Sequence, residues 1–324
     1  MSEMKVEFVS KRMAFVDELK EDKQFANKRR KYVNLSKSFL LAVFRWIIII
    51  GVSYVILSPL IGMLSNSLFS ESDRLNPMVY IIPQNPTIGN YSLALKRLNY
   101  LPTMLKTMGF SLSLMVIQIL VCSMVGYGFA RFEFPFKKLL FGCVVIMIVV
   151  PSDSIMLPLY MTFMDFFGHN ILQSAMPMYL MTIFGCGLRS GLYIYIFNQF
   201  FRGLPKEIEE AAFVDGAGSF YTYFRIMLVN AAPSIITVSI FAMVWQYNDL
   251  FFSKLFQIPS SMSISKKIVT LTATLSNMDK ILDPNLQQIY FFAGVLAVIA
   301  PVLIIYVVLQ RFFMEGVERS GIVG

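Results

Sequence analysis

Six stretches of this 324-residue chain are each long and apolar enough to cross a bilayer as a helix. A crossing needs about 20 mostly apolar residues, because backbone groups in lipid must pair within their own helix. The stretches are 46–64, 104–129, 139–160, 172–193, 234–252 and 289–313. Composition agrees: 56% of the residues are hydrophobic and 15% are charged, against about 25% charged in soluble domains. The expected fold class is an all-α membrane protein of six transmembrane helices, with one membrane domain over 46–313. Flanking it are a basic N-terminal extension, 1–45, and a short tail, 314–324.

Charge sets the direction. Residues 1–45 hold 11 of the 28 Lys and Arg, among them Lys28, Arg29, Arg30 and Lys31. A basic segment ahead of a span is a topology signal rather than a nucleic-acid site. With the N-terminus inside, the inner segments are 1–45, 131–138, 194–230 and the tail. Counting Arg189 and Arg311 at inner span ends, they carry 20 Lys and Arg against eight outside. Both termini are therefore expected on the cytoplasmic side. The N-terminal segment is also too long, and too acidic at Asp17, Glu18, Glu21 and Asp22, for the basic region of a signal peptide.

Few residues invite chemistry. Cys122, Cys143 and Cys186 all lie inside apolar runs without paired spacing, and read as small buried hydrophobes. The lone His169, beside Gly168 and Asn170, has no partners for a metal site. No GxxxxGK[ST] phosphate loop occurs anywhere, so any ATP chemistry belongs to another polypeptide. Neither a nucleophile–base set nor a carboxylate pair at catalytic spacing is evident, which argues against an enzyme.

One inner segment, 203–230, is polar. Pro205 suits a first helical position, and Glu207, Glu209 and Glu210 complement the positive end of the helix dipole. Ile208, Ala211, Ala212 and Asp215 share one face at helical spacing. Gly216 can end the helix in a left-handed conformation, and Ser219 can cap a second helix from Phe220. Small alanines let another backbone approach. Glutamates and alanines are poor chemistry for an anionic membrane surface, so a protein partner is the better occupant.

At these residues the chain resembles the binding-protein-dependent ABC importer permeases, in particular the sugar-importer subunits of the maltose-transporter type. Their cytoplasmic signature runs Glu-Ala-Ala, three residues, Gly, nine residues, Ile-x-Leu-Pro. Glu210, Ala211, Ala212, Gly216, Ile226 and Leu228 fall in register, and Val229 replaces the final proline. The runs "FFRGLPKEIEEAAFVDGAG", "ARFEFPFKK", "VPSDSIMLPLY" and "WQYND" are similar to that subfamily too. The resemblance implies a type I ABC importer permease fold in a bacterial cytoplasmic membrane. It implies that 203–230 is a coupling helix docking into an ATPase through Glu210, Ala211, Ala212, Asp215, Gly216, Ala217 and Ile226. The implied partners are a second permease subunit, two ATP-binding subunits that hold ATP and Mg, an extracytoplasmic solute-binding protein and a carbohydrate, an oligosaccharide by preference. No cofactor is expected in this chain.

Polar and aromatic residues within spans are candidates for a translocation path, since sugars need hydrogen-bond partners and aromatic platforms. They are Asp153, Tyr160, Trp245, Tyr247, Asn248 and Asp249. The competing reading is helix ends and aromatic belts wetted by headgroups. Arg189 is expected to snorkel near the inner end of span four. Outer segment 253–288, longer than a plain connection needs, is the candidate contact for a binding protein, with 65–103 a second and irregular one. The alternative function is an ATP-independent secondary carrier or channel; such carriers show internal repeats and midplane charges, which this chain lacks.

Overall fold

The computed structural model describes residues 37–321, with side chains through Val308 and at Gln310. Most of the basic extension 1–45 and the end of the 314–324 tail thus lie outside the described residues. Residues 37–45 already belong to helix α1, Lys37–Ser67. Up to Gly62 this helix is a unit of its own, and its large apolar side chains, Trp46, Ile47, Val55 and Ile61 among them, are exposed. Such a helix is apolar all round because lipid is its solvent.

The second unit begins at Met63. Its principal helices are α2 (Gly89–Leu98), α3 (Tyr100–Arg131), α4 (Lys137–Val149), α5 (Met156–Met164), α6 (Met176–Ile183), α7 (Ser190–Gly203), α8 (Glu207–Val214), α9 (Ala232–Asn248) and α10 (Pro284–Gly321). No strand is present among the described residues. Among the described residues, three continuous helices are long and apolar enough to cross a membrane: α1, α3 and the Pro284–Val308 part of α10. Two bent pairs pass the same test, giving up to five crossings.

The third predicted stretch is one of these pairs. Pro151 cannot donate to a helix and disfavours helical backbone at Val150, which is extended at φ −67° and ψ 120°. The axes on either side, Lys137–Val149 and Ser152–Met164, differ by 107°. The fifth stretch, 234–252, is helical as α9 up to Asn248, opened by Pro233; the other bent pair joins α9 to Ser219–Asn230 of the polar segment 203–230, with axes 77° apart.

The fourth stretch, 172–193, is not one helix. It divides into α6 and α7 across residues 184–189, where Gly185 has φ +73° and Arg189 φ +61°. A Cβ on Gly187 would lie 2.7 Å from Thr182 Oγ1 and 3.1 Å from Thr182 Cα. The break is therefore built from two glycines that an apolar-run count passes over.

Helix α3 is the axis of the second unit, packed by α7 on one side and α9 on another. Small residues permit close approach between helices where lipid supplies no hydrophobic drive. A Cβ on Gly126 would meet Phe197 Cβ at 2.7 Å and the Asn198 N and Ile194 O of α7 at 3.0 Å. Gly128, two residues on, faces open space. Around the Gly126 contact lies a buried cluster of Cys122, Tyr127, Tyr193, Phe197, Phe201 and Tyr223. A second cluster joins Phe110 and Leu114 of α3 to Phe163, Phe252 and Phe256. A third centres on Leu98, Leu271 and Ile289.

The two segments expected on the outer side, 65–103 and 253–288, are more ordered than their sequences suggest. Within 253–288, the helix Ile264–Val269 is capped by Ser263 Oγ, which accepts from the Lys266 N–H at 3.3 Å. Lys267 Nζ donates to Leu98 O and Thr103 Oγ1, each at 2.8 Å, and Arg97 pairs with Asp279. Segment 65–103 contains helix Glu71–Leu75 and α2, with irregular chain between them. Of the cysteines only Cys122 is buried; Cys143 and Cys186 are exposed.

Candidate functional site

The polar segment is a helix, a bend and a second helix. Helix α8 starts at Glu207 after Lys206, two residues later than a first-turn Pro205 predicts. Its end is a Schellman motif: Ala217 N–H donates to Ala212 O and Gly216 N–H to Phe213 O, both at 3.0 Å. Gly216 supplies the left-handed residue this motif needs, at φ +82°. The second helix then begins at Ser219, without a side-chain cap from it. It runs through a π-helical turn, Tyr223–Met227, to Asn230.

The faces of α8 differ from the predicted grouping. Inward lie Glu209 and Ala212, 7% and 5% exposed, with Ile208 half-buried. Outward lie Glu207, Glu210, Ala211 and Val214, at i, i+3, i+4 and i+7, continued by Asp215 and Gly216. Of the expected docking set, then, Glu210, Ala211, Asp215 and Gly216 share the free face. Ala212 packs beneath it, and Ala217 and Ile226 are half-buried.

Two contacts fasten this segment to α3. Arg131 Nε lies 3.1 Å from Glu209 Oε1 in a buried ion pair, and Arg131 Nη2 donates to Leu204 O at 2.9 Å. Tyr223 Oη and Ser123 Oγ are hydrogen-bonded at 2.7 Å inside the core. Sequence reasoning assigned none of these. The available signal was polar side chains placed at the end of, or within, an apolar run: Arg131 and Ser123.

The candidate path residues do not form one group. Asp153 is exposed in the turn between α4 and α5, and Tyr160 is half-buried in the second cluster. Trp245 is half-buried, with the Arg189 guanidinium carbon 4.2 Å above its ring centroid. Such a cation–π contact is attractive through the ring quadrupole. Arg189 is the exposed N-cap residue of α7, at the break after α6, with its guanidinium held on the Trp245 ring. Tyr247 is buried and donates to Val298 O at 2.7 Å. Asn248 is exposed and donates to Val244 O at 2.9 Å. Asp249 is buried and accepts from the Phe252 and Ser253 N–H groups at 3.2 and 2.8 Å. Tyr247 and Asp249 therefore spend their polar atoms on the fold.

A buried polar contact not expected from sequence sits beside Trp245. Gln118 Nε2 of α3 donates to Leu188 O at 2.7 Å, and Gln246 Nε2 of α9 donates to Gln118 Oε1 at 3.2 Å. It ties α3, α9 and the break before α7 together. Among the described residues no group of His, Cys, Asp and Glu could hold a metal ion.

Comparison with known proteins places this architecture. Residues 118–314, more than half of the chain, match the binding-protein-dependent transport system inner membrane component family, and the chain belongs to that family. It is the membrane component, not the ATPase, of a transport system that depends on a binding protein. A putative ABC transporter permease protein, ORF2, of Caldicellulosiruptor sp. (strain Rt8B.4) is 29% identical over 67% of this chain and 77% of that protein. The trehalose transport system permease protein SugB of Mycobacterium tuberculosis is 25% identical, over 75% and 85%. The arabinooligosaccharides transport system permease protein AraQ of Halalkalibacterium halodurans is 23% identical, over 87% and 98%. A chain of a bacterial ABC transporter involved in the import of the acidic polysaccharide alginate superposes with a TM-score of 0.66 at 15% identity. That likeness covers 85% of this chain and 96% of the other, and shows a shared ABC importer permease fold.

Proposed function

We propose that this chain is a permease subunit of an ATP-driven importer for a carbohydrate, an oligosaccharide by preference. The observation that carries the reading is α8: a short helix with a free face of Glu210, Ala211 and Val214, fastened from behind to α3 through Glu209 and Arg131. A face whose centre is Ala211 admits a partner's backbone closely, while the ion pair behind it passes displacement to a membrane helix. Relatives named for trehalose and arabinooligosaccharide transport support the carbohydrate class.

In this reading Glu210, Ala211, Asp215 and Gly216 seat in a groove of a cytoplasmic ATPase, and ATP and Mg are bound by two such subunits. Ala212, Ala217 and Ile226 shape the bend from within. A second, similar permease completes the membrane part, and an extracytoplasmic binding protein delivers substrate to the ordered segments 65–103 and 253–288. Alternating access follows from ATPase closure moving α8 and, through Arg131, α3. Of the path candidates Trp245 is the strongest, and Arg189 joins it from the structure, since an aromatic face and a guanidinium suit a sugar ring and its hydroxyls. Both termini are cytoplasmic by the distribution of Lys and Arg.

The test is uptake of a panel of labelled oligosaccharides into proteoliposomes holding the complete complex. ATP-dependent accumulation of at least one, requiring the binding protein, is expected. Uptake by this chain alone, without any ATPase, overturns the reading.

A further inference from the structure

Where the ends of α3, α4 and α7 converge, a cleft of about 800 Å³ opens beside the coupling segment. Its lining carries five cations, Arg131, Lys137, Lys138, Arg202 and Lys206, and one acid, Glu133. Two of the cations are already matched within the chain. Arg131 is paired with Glu209 at 3.1 Å, and Lys137 Nζ with Glu133 Oε1 at 2.8 Å. The Lys137 ammonium, helped by Lys206 and Lys138 nearby, holds the Glu133 carboxyl below its usual range. Lys138, Arg202 and Lys206 are exposed and, among the described residues, have no carboxylate partner of their own.

The floor of the same cleft is aromatic. Phe129 contacts Phe134 at 5.6 Å and Phe141 at 5.5 Å between ring centroids. Phe136, in the same lining at the N-cap of α4, and Leu139 of α4 are 75% and 67% exposed. Cations above an exposed apolar flank, at the end of a membrane helix, are complementary to a phospholipid: phosphate at the rim and acyl chain below. An acidic loop of a soluble protein would match Lys138, Arg202 and Lys206 but leave Phe136 and Leu139 uncovered.

We propose that this cleft binds the phosphodiester headgroup of an anionic phospholipid, phosphatidylglycerol or cardiolipin, through Lys138, Arg202 and Lys206. The lipid sits next to Lys206, which immediately precedes α8, so its occupancy bears on the approach of whatever docks there. The inference rests on reading the ends of α3, α4 and α7 as a membrane boundary, and it does not require transport.

The test is made on the full-length chain purified from its membrane with the subunits that accompany it. Phospholipids retained after detergent exchange are quantified by mass spectrometry per mole of protein. Wild-type protein should hold phosphatidylglycerol or cardiolipin several-fold above their share of the membrane, relative to phosphatidylethanolamine. The K138Q/R202Q/K206Q variant should fall to the membrane ratio, while K138R/K206R retains the enrichment. Should the triple variant not assemble, each single glutamine variant should show a partial loss. Unchanged enrichment in these variants overturns the proposal, as does a wild-type ratio equal to that of the membrane. A wash with excess inorganic phosphate distinguishes the sources. Lipid retained through the wash supports a lipid site, and lipid displaced by phosphate alone marks a general anion site and overturns the lipid assignment. Retention is read whether or not the protein transports, so its failure stays separate from failure of the transport reading.

Discussion

Arg131 at the end of α3 and Glu209 in α8 form an ion pair at 3.1 Å, with side chains only 5% and 9% exposed. Seventy-eight positions of sequence separate them (131 to 209), and nothing in local pattern joins them. Removing one partner of such a pair leaves a buried charge unmatched and costs about 3–5 kcal/mol, whereas replacing both with apolar residues is often neutral. R131M and E209M should each lower the thermal midpoint of the purified protein, and R131M/E209M should recover most of the loss. Equal and additive losses in the cycle would show that the two side chains do not act as a pair.

Gly216 separates conformation from space. A Cβ there meets nothing within 4 Å, yet the backbone is at φ +82°. A β-branched side chain in that region costs about 1–2 kcal/mol, and Asn much less. G216V should weaken co-purification of the ATPase while leaving membrane insertion intact, and G216N should stay close to wild type. Normal uptake by G216V would remove the bend from the coupling role.

Gly126 is the opposite case. The backbone of α7 stands 3.0 Å from where its Cβ would be, so even alanine must push α3 and α7 apart. Overpacking of this kind costs about 1–3 kcal/mol. G126A should reduce the thermal midpoint and the folded yield, and G128A, facing open space, should change neither. Comparable losses in both variants would count against the close helix contact.

Asp73 gives a pH dependence. Its carboxylate accepts from the Asn85 N–H at 2.6 Å and from Asn85 Nδ2 at 3.0 Å, which holds its pKa below the usual 3.8. A lowered folded-state pKa adds stability above the unfolded value, and that stability is lost as pH falls through the folded one. Hydrogen exchange over residues 76–88 should therefore rise as pH drops below about 3.8, after correction for intrinsic rates. D73N should show faster exchange at neutral pH and no acid-dependent step. An acid step that persists in D73N would place its origin elsewhere.

Hydropathy made α1, α3 and α10 legible, because each is one uninterrupted apolar run. Pro151 lies inside the third predicted stretch, 139–160, and hydropathy does not say that the chain turns 107° there. The break between α6 and α7 was hidden, since Gly185 and Gly187 are apolar to any hydropathy scale and their role lies in φ and in the nearness of Thr182. In α8 the bend at Gly216 was readable from residue type. Its faces were not, because periodicity assigns a glutamate outward and cannot see Arg131 arriving from α3. For the same reason Tyr247 and Asp249 looked like path residues: their partners, Val298 and the amides of 252 and 253, exist only in the fold.

The two fastenings of the polar segment, Arg131–Glu209 and Ser123–Tyr223, lie eight residues apart near one end of α3. Two pins on a rod fix its angle as well as its position, so the segment cannot shift without tilting α3. At 32 residues and 1.5 Å of rise each, that rod is about 48 Å long. A tilt of about 5° therefore swings the far tip by roughly 4 Å, given that rise. At that tip Thr103 Oγ1 accepts from Lys267 of segment 253–288, which also bonds Leu98 O at the end of α2. With the polar segment docked on an ATPase as proposed, the helix would act as a pointer, a small turn at one end being read out large at the other.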